Sequence, residues 1–444
     1  MQDFTLSATD MAILIICAVT CICMILGVLF LPKIRIGRKV RLDTYWLVAL
    51  VGAVIVLVCG QADALAIGSA MIADTAVNPL KILVLFLSMT VLSVFLDELG
   101  FFRYLAGLAL RHSHGGQKRL FFSLYFTVAL LTVFTSNDVI VLSFTPFICY
   151  FASEAKIDPM PYLAAEFVAA NTWSMALVIG NPTNIYLATA YGVGFIEYLK
   201  ISILPTVAAG AVSLGLLFLL FRKKLAMPIS GTAERSEITD KPSLIIGVIH
   251  LAVCTVLLAV SGYVGFEMWI VSLAAVGSLF LCMCIVSIVR KKPPREIGAC
   301  CKRAPWQLIP FLLSMFVMTE ALSEAGITAA IGEFLGTDYA VWKYGALSFL
   351  SSNLINNIPM SVLFSSMIGA SEAGTGALFA TVIGSNLGAF FTPIGALAGL
   401  MFSSILQGHG VKFGYRDFLK LGAAVAIPAL AAALGALCLV LLLV

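Results

Sequence analysis

The sequence predicts an all-α polytopic membrane protein with two inverted repeats, about ten spanning helices, two re-entrant hairpins and two broken helices. Three observations support this fold class. Of the 444 residues, 61% are hydrophobic and 11% are charged, whereas a soluble domain carries about 25% charged residues. Apolar runs of spanning length recur throughout the chain. Four stretches of the first half also recur in the second half in the same order.

The predicted spanning helices fall into two kinds. Uninterrupted apolar runs lie near residues 11–31, 44–60, 81–97, 199–221, 244–262, 266–289, 307–323 and 417–443. Polar residues, glycine and proline interrupt four further apolar segments, namely 117–153, 161–192, 341–370 and 376–406. Broken helices occur at membrane depth where they line a cavity or are buried in protein. We therefore predict hairpins at the first and third of these segments and broken helices at the other two.

The distribution of basic residues predicts the orientation of the chain. Cations crowd residues 32–43, 97–119, 222–224 and 290–303, whereas residues 61–80 hold two aspartates and no Lys or Arg. Loops rich in Lys and Arg lie on the cytoplasmic side. All of these basic loops can lie on the cytoplasmic side if the two hairpins turn back within the membrane. This arrangement places residues 61–80 and both termini outside. A plain twelve-span arrangement is the alternative.

The two halves share four landmarks. These are LSMTVLSVFLDELG (87–100) with LSMFVMTEALSEAG (313–326), SND (136–138) with NNI (356–358), NTWSMALVIGNPTN (171–184) with NLGAFFTPIGALAG (386–399), and GFIEYLK (194–200) with GYRDFLK (414–420). We predict a first repeat at 1–222, a cytoplasmic linker at 223–243 and a second repeat at 244–444. Inverted repeats with paired interruptions are typical of secondary transporters, whose site lies near the midplane. Chance likeness between apolar sequences is the alternative.

The hairpin tips and the helix breaks hold the candidate site. Proline frees backbone groups, helix N-termini attract anions, and Asn and Thr add donors and acceptors. The predicted substrate-binding residues are Asn137, Asn356, Asn357, Asn181, Thr183, Thr392 and Pro393. The predicted residues for a coupling ion are Asp138, Ser136, Gly180, Gly395, Asn171 and Asn386. No metal site and no cofactor are predicted, apart from sodium or a proton as the coupling ion, with sodium placed at the tips.

Each candidate also has a structural interpretation. Asp138 would cap the half-helix that begins there, the tip asparagines would stabilise their turns, and Asn171 with Asn386 would join helices. Glu166 is expected to extend toward the cytoplasmic surface. Within these segments, residues 120–153, 161–192, 344–370 and 376–406 contain no Lys or Arg. This composition suits a small neutral hydroxide, or an anion that is held together with sodium.

The motifs resemble those of the ion transporter superfamily, most closely its arsenical pump (arsenite permease, ArsB-like) and sodium/proton antiporter branch. SNDVIVLSFTP resembles the N-D-x(5–6)-T-P hairpin of that branch, SSNLINNIPM its N-N-x-P hairpin, and IGSNLGAFFTPIGALAGLMF its second broken helix. The resemblance implies alternating access of an elevator-type or related kind. Asn386 and Ala389 depart from the Asp and Pro of arsenite permeases, and Ala396 replaces a Ser. Divalent anion/sodium symporters carry S-N-T at both tips, where this chain has Asp138 and Ile358.

The sequence thus predicts a secondary transporter of the bacterial inner membrane rather than an enzyme. Its predicted substrate is a small inorganic oxyanion or hydroxide of the arsenite type. Its transport is predicted to be coupled to protons or to the membrane potential. The alternatives are a sodium-coupled carboxylate or divalent anion symporter and a sodium/proton antiporter. The predicted partners are a small ion and the lipid bilayer, with no nucleic acid. A homodimer, and an ATPase subunit if the chain is an arsenite permease, remain options.

Overall fold

Helices make up most of this protein, whose structure is a computed structural model. Two series of helices follow the same order along the chain. The structure describes residues 7–31, 33–36, 40–59, 63–73, 78–112, 116–227, 238 and 240–443. Most of the predicted linker, and residues 113–115 of the predicted cytoplasmic segment 112–119, therefore lie outside the described residues.

The first series contains two long helices, a short helix, a long helix, a second short helix, a helix pair, a broken helix and a long final helix. Its members are α1 (Ala8–Phe30), α2 (Thr44–Val58), α3 (Ala64–Ile72), α4 (Pro79–Glu98), α5 (Phe101–His112), the pair α6 (Gln117–Phe134) and α7 (Asn137–Glu154), the broken helix α8 (Met160–Trp173) with α9 (Pro182–Ala190), and α10 (Phe195–Phe221). Two short 3-10 turns, Ser174–Ala176 and Val178–Gly180, bridge the break.

The second series repeats this order after a further 3-10 turn at Lys224–Ala226. Its members are α11 (Lys241–Val264), α12 (Met268–Arg290), α13 (Arg295–Arg303), α14 (Leu308–Glu324), α15 (Ile327–Leu335), the pair α16 (Ala340–Ile355) and α17 (Asn357–Ser371), the broken helix α18 (Gly374–Gly388) with α19 (Leu397–Gly408), and α20 (Tyr415–Leu443). Each member has a counterpart in the first series at the same place in the order.

Local sequence explains where several helices begin. Asn78 accepts hydrogen bonds from the backbone N–H groups of Leu80 and Lys81, and Pro79 occupies the first turn of α4. Asn181 accepts a bond from the Thr183 N–H, with Pro182 in the first turn of α9. An Asx cap followed by proline is a strong start signal, because the capping oxygen satisfies a free N–H and proline lacks one.

A two-stranded ribbon between α1 and α2 departs from the all-α prediction. Its strands β1 (Lys33–Ile36) and β2 (Val40–Asp43) are antiparallel, with Ile34 opposite Leu42. In this stretch, β-branched and other apolar residues alternate with basic residues. A period of two fits a strand rather than a helix. The two strands were not predicted, because the stretch was interpreted only as a basic loop.

The two series interlock. Helix α4 packs against α11 and α12, while its counterpart α14 packs against α1 and α2. Helix α7 packs against α19, and its counterpart α17 packs against α9. The long helices α10 and α20 lie along each other. Each broken helix is therefore in contact with the helix pair of the other series, so the interrupted segments meet in the interior.

Seven segments of the described chain are long and apolar enough to cross a membrane, as judged by length and composition. They are Ala8–Gly27, Pro79–Glu98, Phe195–Phe221, Lys241–Ser261, Met268–Arg290, Arg295–Glu324 and Tyr415–Leu443. Large apolar side chains are exposed on α11, such as Ile249, Val253 and Val256, as expected for a face in contact with lipid. The predicted multi-pass class is thus confirmed, and the count of ten spans stays a prediction.

Candidate functional site

The turn between α6 and α7, at residues 135–136, carries the first group of candidate residues. The Asn137 amide donates to Asn171 Oδ1 at 3.0 Å, and its Oδ1 accepts the Asp138 backbone N–H at 3.0 Å. Ser136 is 4% exposed, and its hydroxyl has no hydrogen-bond partner among the described residues. The turn is thus tied by one asparagine to the broken helix α8 beside it.

Asp138 occupies the first turn of α7 and is partly buried. Its carboxylate forms no hydrogen bond or ion pair with any described residue. The Tyr45 side chain of α2 is 7% exposed, its hydroxyl also lacks a partner among the described residues, and Asp138 lies near enough to act on it electrostatically. A carboxylate and a phenol at this place can both bind a solute or an ion.

The second turn, between α16 and α17, is docked onto its own broken helix. Asn356 has a φ of 73° and a ψ of 155°, which lies outside the left-handed helical region and is a conformation that essentially only glycine adopts without strain. Its amide donates to the Ile394 carbonyl at 3.0 Å, and the Asn357 N–H donates to the Gly395 carbonyl at 3.1 Å. A small, mostly apolar cavity adjoins this turn and is lined by Tyr45 and Asn356 among others. Tyr45 thus lies near both turns.

Asn357 differs from the other turn asparagines. It is 3% exposed, yet its side-chain amide forms no hydrogen bond with any described residue. Nearby, Thr392 donates to Asn353 Oδ1 at 2.6 Å and so closes the break against α16. The Asn357 amide atoms are not sealed from solvent, which allows them to remain without a partner among the described residues. Asn357 is therefore the turn residue whose donors and acceptor are available to a bound solute.

Two glycines permit the breaks in the helices. A Cβ atom on Gly180 would lie 2.1 Å from the Ser174 carbonyl oxygen, and one on Gly395 would lie 2.5 Å from the Gly388 carbonyl oxygen. Neither contact is sterically tolerable, so the chain can fold back on itself at these positions with glycine alone. The two predicted glycines occupy equivalent places in the two breaks.

Asn386 joins the two broken helices. Its Oδ1 accepts from the Ser174 hydroxyl at 2.8 Å and the Asn181 amide at 3.1 Å. Its amide donates to Asn184 Oδ1 and to the Val382 carbonyl, each at 2.8 Å. All of its hydrogen-bonding capacity is thus used within the protein, which favours the helix-joining interpretation for this residue.

Other predicted residues belong to the same network. Thr183 accepts from the Ser385 hydroxyl at 3.0 Å, and its own hydroxyl donates to Asn181 Oδ1 at 3.2 Å. Asn184 and Ser385 were not predicted, although both flank predicted positions in the quoted motifs. Pro393 immediately follows Thr392 in the second break. The structure therefore brings residues of both halves together where the broken helices meet.

Glu166 is the main residue that the sequence analysis misplaced. Its side chain is 0% exposed, and both carboxylate oxygens accept from the Thr145 hydroxyl, at 3.3 and 3.2 Å. The expectation that it extends toward the surface was wrong, because α8 is enclosed by neighbouring helices on every side. The nearly complete burial of Pro161–Thr172 agrees with a sequence segment that is apolar all round, which was the available signal.

The interior of this site lacks basic side chains. The described residues 120–155, 157–199 and 344–411 include no Lys or Arg, while Asp138 and Glu166 are acidic. The available groups are amides, hydroxyls, carboxylates and helix N-termini. Such a site can surround an uncharged hydroxylated solute, or hold an anion together with a cation.

An apolar multi-pass scaffold that encloses two interrupted helices and two polar turns has the features of a membrane transporter. The chain matches the family described as citrate transporter (CitMHS) over residues 43–380. It belongs to this family, which is part of the ion transporter superfamily. The family consists of transporters, so the prediction that the chain is not an enzyme is confirmed.

Several characterised proteins are similar to this chain. It is 28% identical over 370 residues to the arsenical pump membrane protein of Yersinia enterocolitica, which covers 80% of this chain and 85% of that protein. It is 30% identical over 205 residues to the silicon efflux transporter LSI3 of Oryza sativa subsp. japonica, which covers 44% of this chain and 42% of that protein. These relatives and the family match confirm the resemblance inferred from the sequence.

A solved structure shares the fold. The YdaH transporter of Alcanivorax borkumensis superposes with a TM-score of 0.53 at 16% sequence identity, covering 98% of each chain. At this identity the similarity concerns the fold alone. The coverage shows that the whole chain, and not one half of it, follows the architecture of that transporter.

Proposed function

We propose that this protein is a secondary transporter that exports a small uncharged hydroxylated solute of the arsenous or silicic acid type, driven by protons or membrane potential. The observation that carries the proposal is the chemistry of the site, where amides and hydroxyls converge without any Lys or Arg among the described residues of the interior. Two similar proteins, an arsenical pump membrane protein and a silicon efflux transporter, carry names that point to solutes of this class.

The side chains of the site suit such a solute. Each hydroxyl group of an uncharged oxyacid can both donate and accept a hydrogen bond, as can an asparagine amide. Asn357 provides a free amide, and Asp138 and Tyr45 provide an acceptor and a hydroxyl beside the other turn. A bare citrate would instead place several negative charges beside Asp138, which is unfavourable without cations.

The repeated order of helices supports an alternating-access mechanism. We take residues 1–222 and 244–444 as the two inverted repeats, with 223–243 as linker, the helix pairs as re-entrant hairpins and ten helices as spans. The hairpins and broken helices would then move together relative to α1, α2, α11 and α12. The cell membrane of a bacterium is the proposed location, and a homodimer or an ATPase subunit is compatible with the proposal.

Transport by the purified protein in liposomes tests this function. Vesicles loaded with arsenite, silicic acid or citrate receive an imposed proton gradient, sodium gradient or membrane potential, and efflux is followed over time. We expect efflux of arsenite or silicic acid that responds to the proton gradient or the potential. Citrate movement that requires sodium would instead support the carboxylate alternative, and proton release on addition of sodium alone would support an antiporter. Vesicles without protein provide the baseline.

A further inference from the structure

Glu166 and Thr145 form a buried polar pair at a distance from the two helix turns. Both side chains are 0% exposed, and the Thr145 hydroxyl lies 3.3 and 3.2 Å from the two carboxylate oxygens of Glu166. Glu166 forms no ion pair with a described residue. Thr145 lies seven residues beyond Asp138 on α7, about 10 Å along the helix and on the same face. The pair is thus separate from the turn that holds Asp138.

The surroundings of Glu166 offer no compensating charge. The adjacent Phe167 ring stacks on Phe402 with a centroid distance of 4.4 Å. The Cys149 thiol of α7 is the titratable group that interacts electrostatically with Glu166. Among the other helices packed against α8, α6 presents the Tyr125 hydroxyl to Trp173, seven residues beyond Glu166, and no described residue of α6, α10 or α18 forms an ion pair with Glu166. A thiol cannot neutralise a carboxylate, so an ionised Glu166 would be an uncompensated charge in an apolar interior.

We propose that Glu166 is a second proton-binding site of this transporter, held by Thr145 between α7 and α8. The carboxylate takes up one proton from water to form the neutral acid, and gives it back when the transport cycle exposes it. A proton fits better than a metal cation, because two carboxylate oxygens and one hydroxyl fall short of the roughly six oxygen ligands that hard cations take. The inference rests on the proposed transport function.

Comparison of the two series shows that only the first one has carboxyl groups at the positions of Asp138 and Glu166. At the offsets that relate the two series, Ile358 stands opposite Asp138 and Thr381 stands opposite Glu166. The Thr381 hydroxyl donates a hydrogen bond to the Ala377 carbonyl of its own helix at 2.8 Å. Asp138 and Glu166 therefore both belong to the helix pair and broken helix of the first series, and the second series provides neutral groups at the same two places.

Infrared spectroscopy of the full-length protein in lipid tests protonation without any substrate. We expect a protonated carboxyl band in a pH titration that is lost in Glu166→Gln and retained in Asp138→Asn. Thr145→Val, which keeps the shape but lacks the hydroxyl, should shift the frequency of the band, whereas Thr145→Ser should restore it. Absence of the band in Asp138→Asn, or its persistence when Asp138→Asn and Glu166→Gln are combined, would overturn the proposal.

Flux measurements test the role of the proton in transport. Glu166→Gln should reduce gradient-driven efflux by about tenfold or more while solute exchange without a gradient continues. Glu154→Gln provides the matched control, because Glu154 lies at the exposed end of α7 and its loss should leave both fluxes unchanged. Full gradient-driven efflux in Glu166→Gln would overturn the coupling role. A titrating Glu166 band in a protein that moves none of the three solutes would reject the proposed substrate and retain the proton site.

Discussion

Asn137 and Asn357 occupy equivalent turns but have different surroundings. The amide of Asn137 is bonded to Asn171, whereas the amide of Asn357 has no hydrogen bond with a described residue. We expect Asn357→Ala to abolish transport with little loss of stability. Asn137→Ala should reduce both transport and stability, because the buried Asn171 oxygen would lose its hydrogen-bond donor at a cost of about 1–3 kcal/mol. Transport assays and thermal unfolding in detergent distinguish the two variants.

A control for these variants is Asn78→Ala, which removes the cap of α4. It should lower stability by about 1 kcal/mol and leave the transport rate per folded molecule unchanged. Normal transport by Asn357→Ala would mean that the solute binds elsewhere.

Asp138 provides a test of coupling at the first turn. Its carboxylate has no partner among the described residues, and its backbone N–H is already capped by Asn137. Asp138→Asn keeps the shape but cannot titrate or hold a cation. We therefore expect solute exchange to survive while the response to an imposed proton or sodium gradient disappears. A variant that still accumulates solute against its gradient would show that Asp138 has a structural role alone.

At the scale of helices, equivalent contacts differ in charge between the two series. Where α4 meets α7, Asp97 accepts from the Ser143 hydroxyl at 2.6 Å and pairs with Arg303 at 2.6 Å. Where α14 meets α17, the Ser366 hydroxyl donates to Ser323, which is the counterpart of Asp97, at 3.1 Å. The contact in the first series therefore depends on charge and is open to screening by salt, whereas its counterpart is neutral.

The ends of α11 and α12 provide a pH-dependent contact. Asp240 caps α11 through Ser243 and pairs with Arg290 of α12 at 2.6 Å. Burial pushes the pKa of Asp240 upward, but the hydrogen bonds from Arg290 and Ser243 outweigh it, so the pKa lies below 3.8. The unfolded chain thus binds this proton more readily. The stabilisation is complete above about pH 4 and is lost as the pH falls through the folded pKa.

Asp240→Asn keeps a capping oxygen but loses the charge that pairs with Arg290, so it should be less stable than the parent at pH 7 by about 0.5 kcal/mol, and the difference should shrink toward about pH 3. Thermal unfolding between these pH values measures it. A difference that stays constant over the whole range would mean that the charge of Asp240 contributes nothing.

For the whole molecule, the predicted orientation in the membrane can be tested by labelling cysteine residues from the two sides. Cys301 on α13 is exposed and its neighbour Cys300 is 0% exposed. In variants that retain one cysteine, we expect an impermeant maleimide to label Cys301 from the cytoplasmic side only and Cys300 from neither side. Ser69→Cys on α3 should be labelled from outside only. Labelling of Cys301 from outside would contradict the predicted orientation.

Local sequence was sufficient for the class of protein and for the places where helices stop. Composition indicated a multi-pass membrane protein. Gly180 with Pro182, and Gly395 with Pro393, marked helix breaks that the structure contains. These breaks can be predicted locally because the missing Cβ of glycine and the missing N–H of proline affect the backbone at the residue itself. The ribbon at residues 33–43 escaped notice because its alternating pattern is short. Local sequence also grouped the candidate polar residues, although it could not assign each one a partner.

Those partners were decided by tertiary structure alone. Asn386 meets Ser174, which is 212 residues away in the chain, and this contact turns a candidate ion ligand into a helix-joining residue. Asn357 keeps a free amide although its motif resembles that of the first turn, and Glu166 is enclosed although it lies near a predicted helix end. A polar side chain gains or lacks a hydrogen bond according to which distant helix packs against it. The sequence by itself therefore determined the class and the breaks, and the packing of the two series determined which polar groups are free to act.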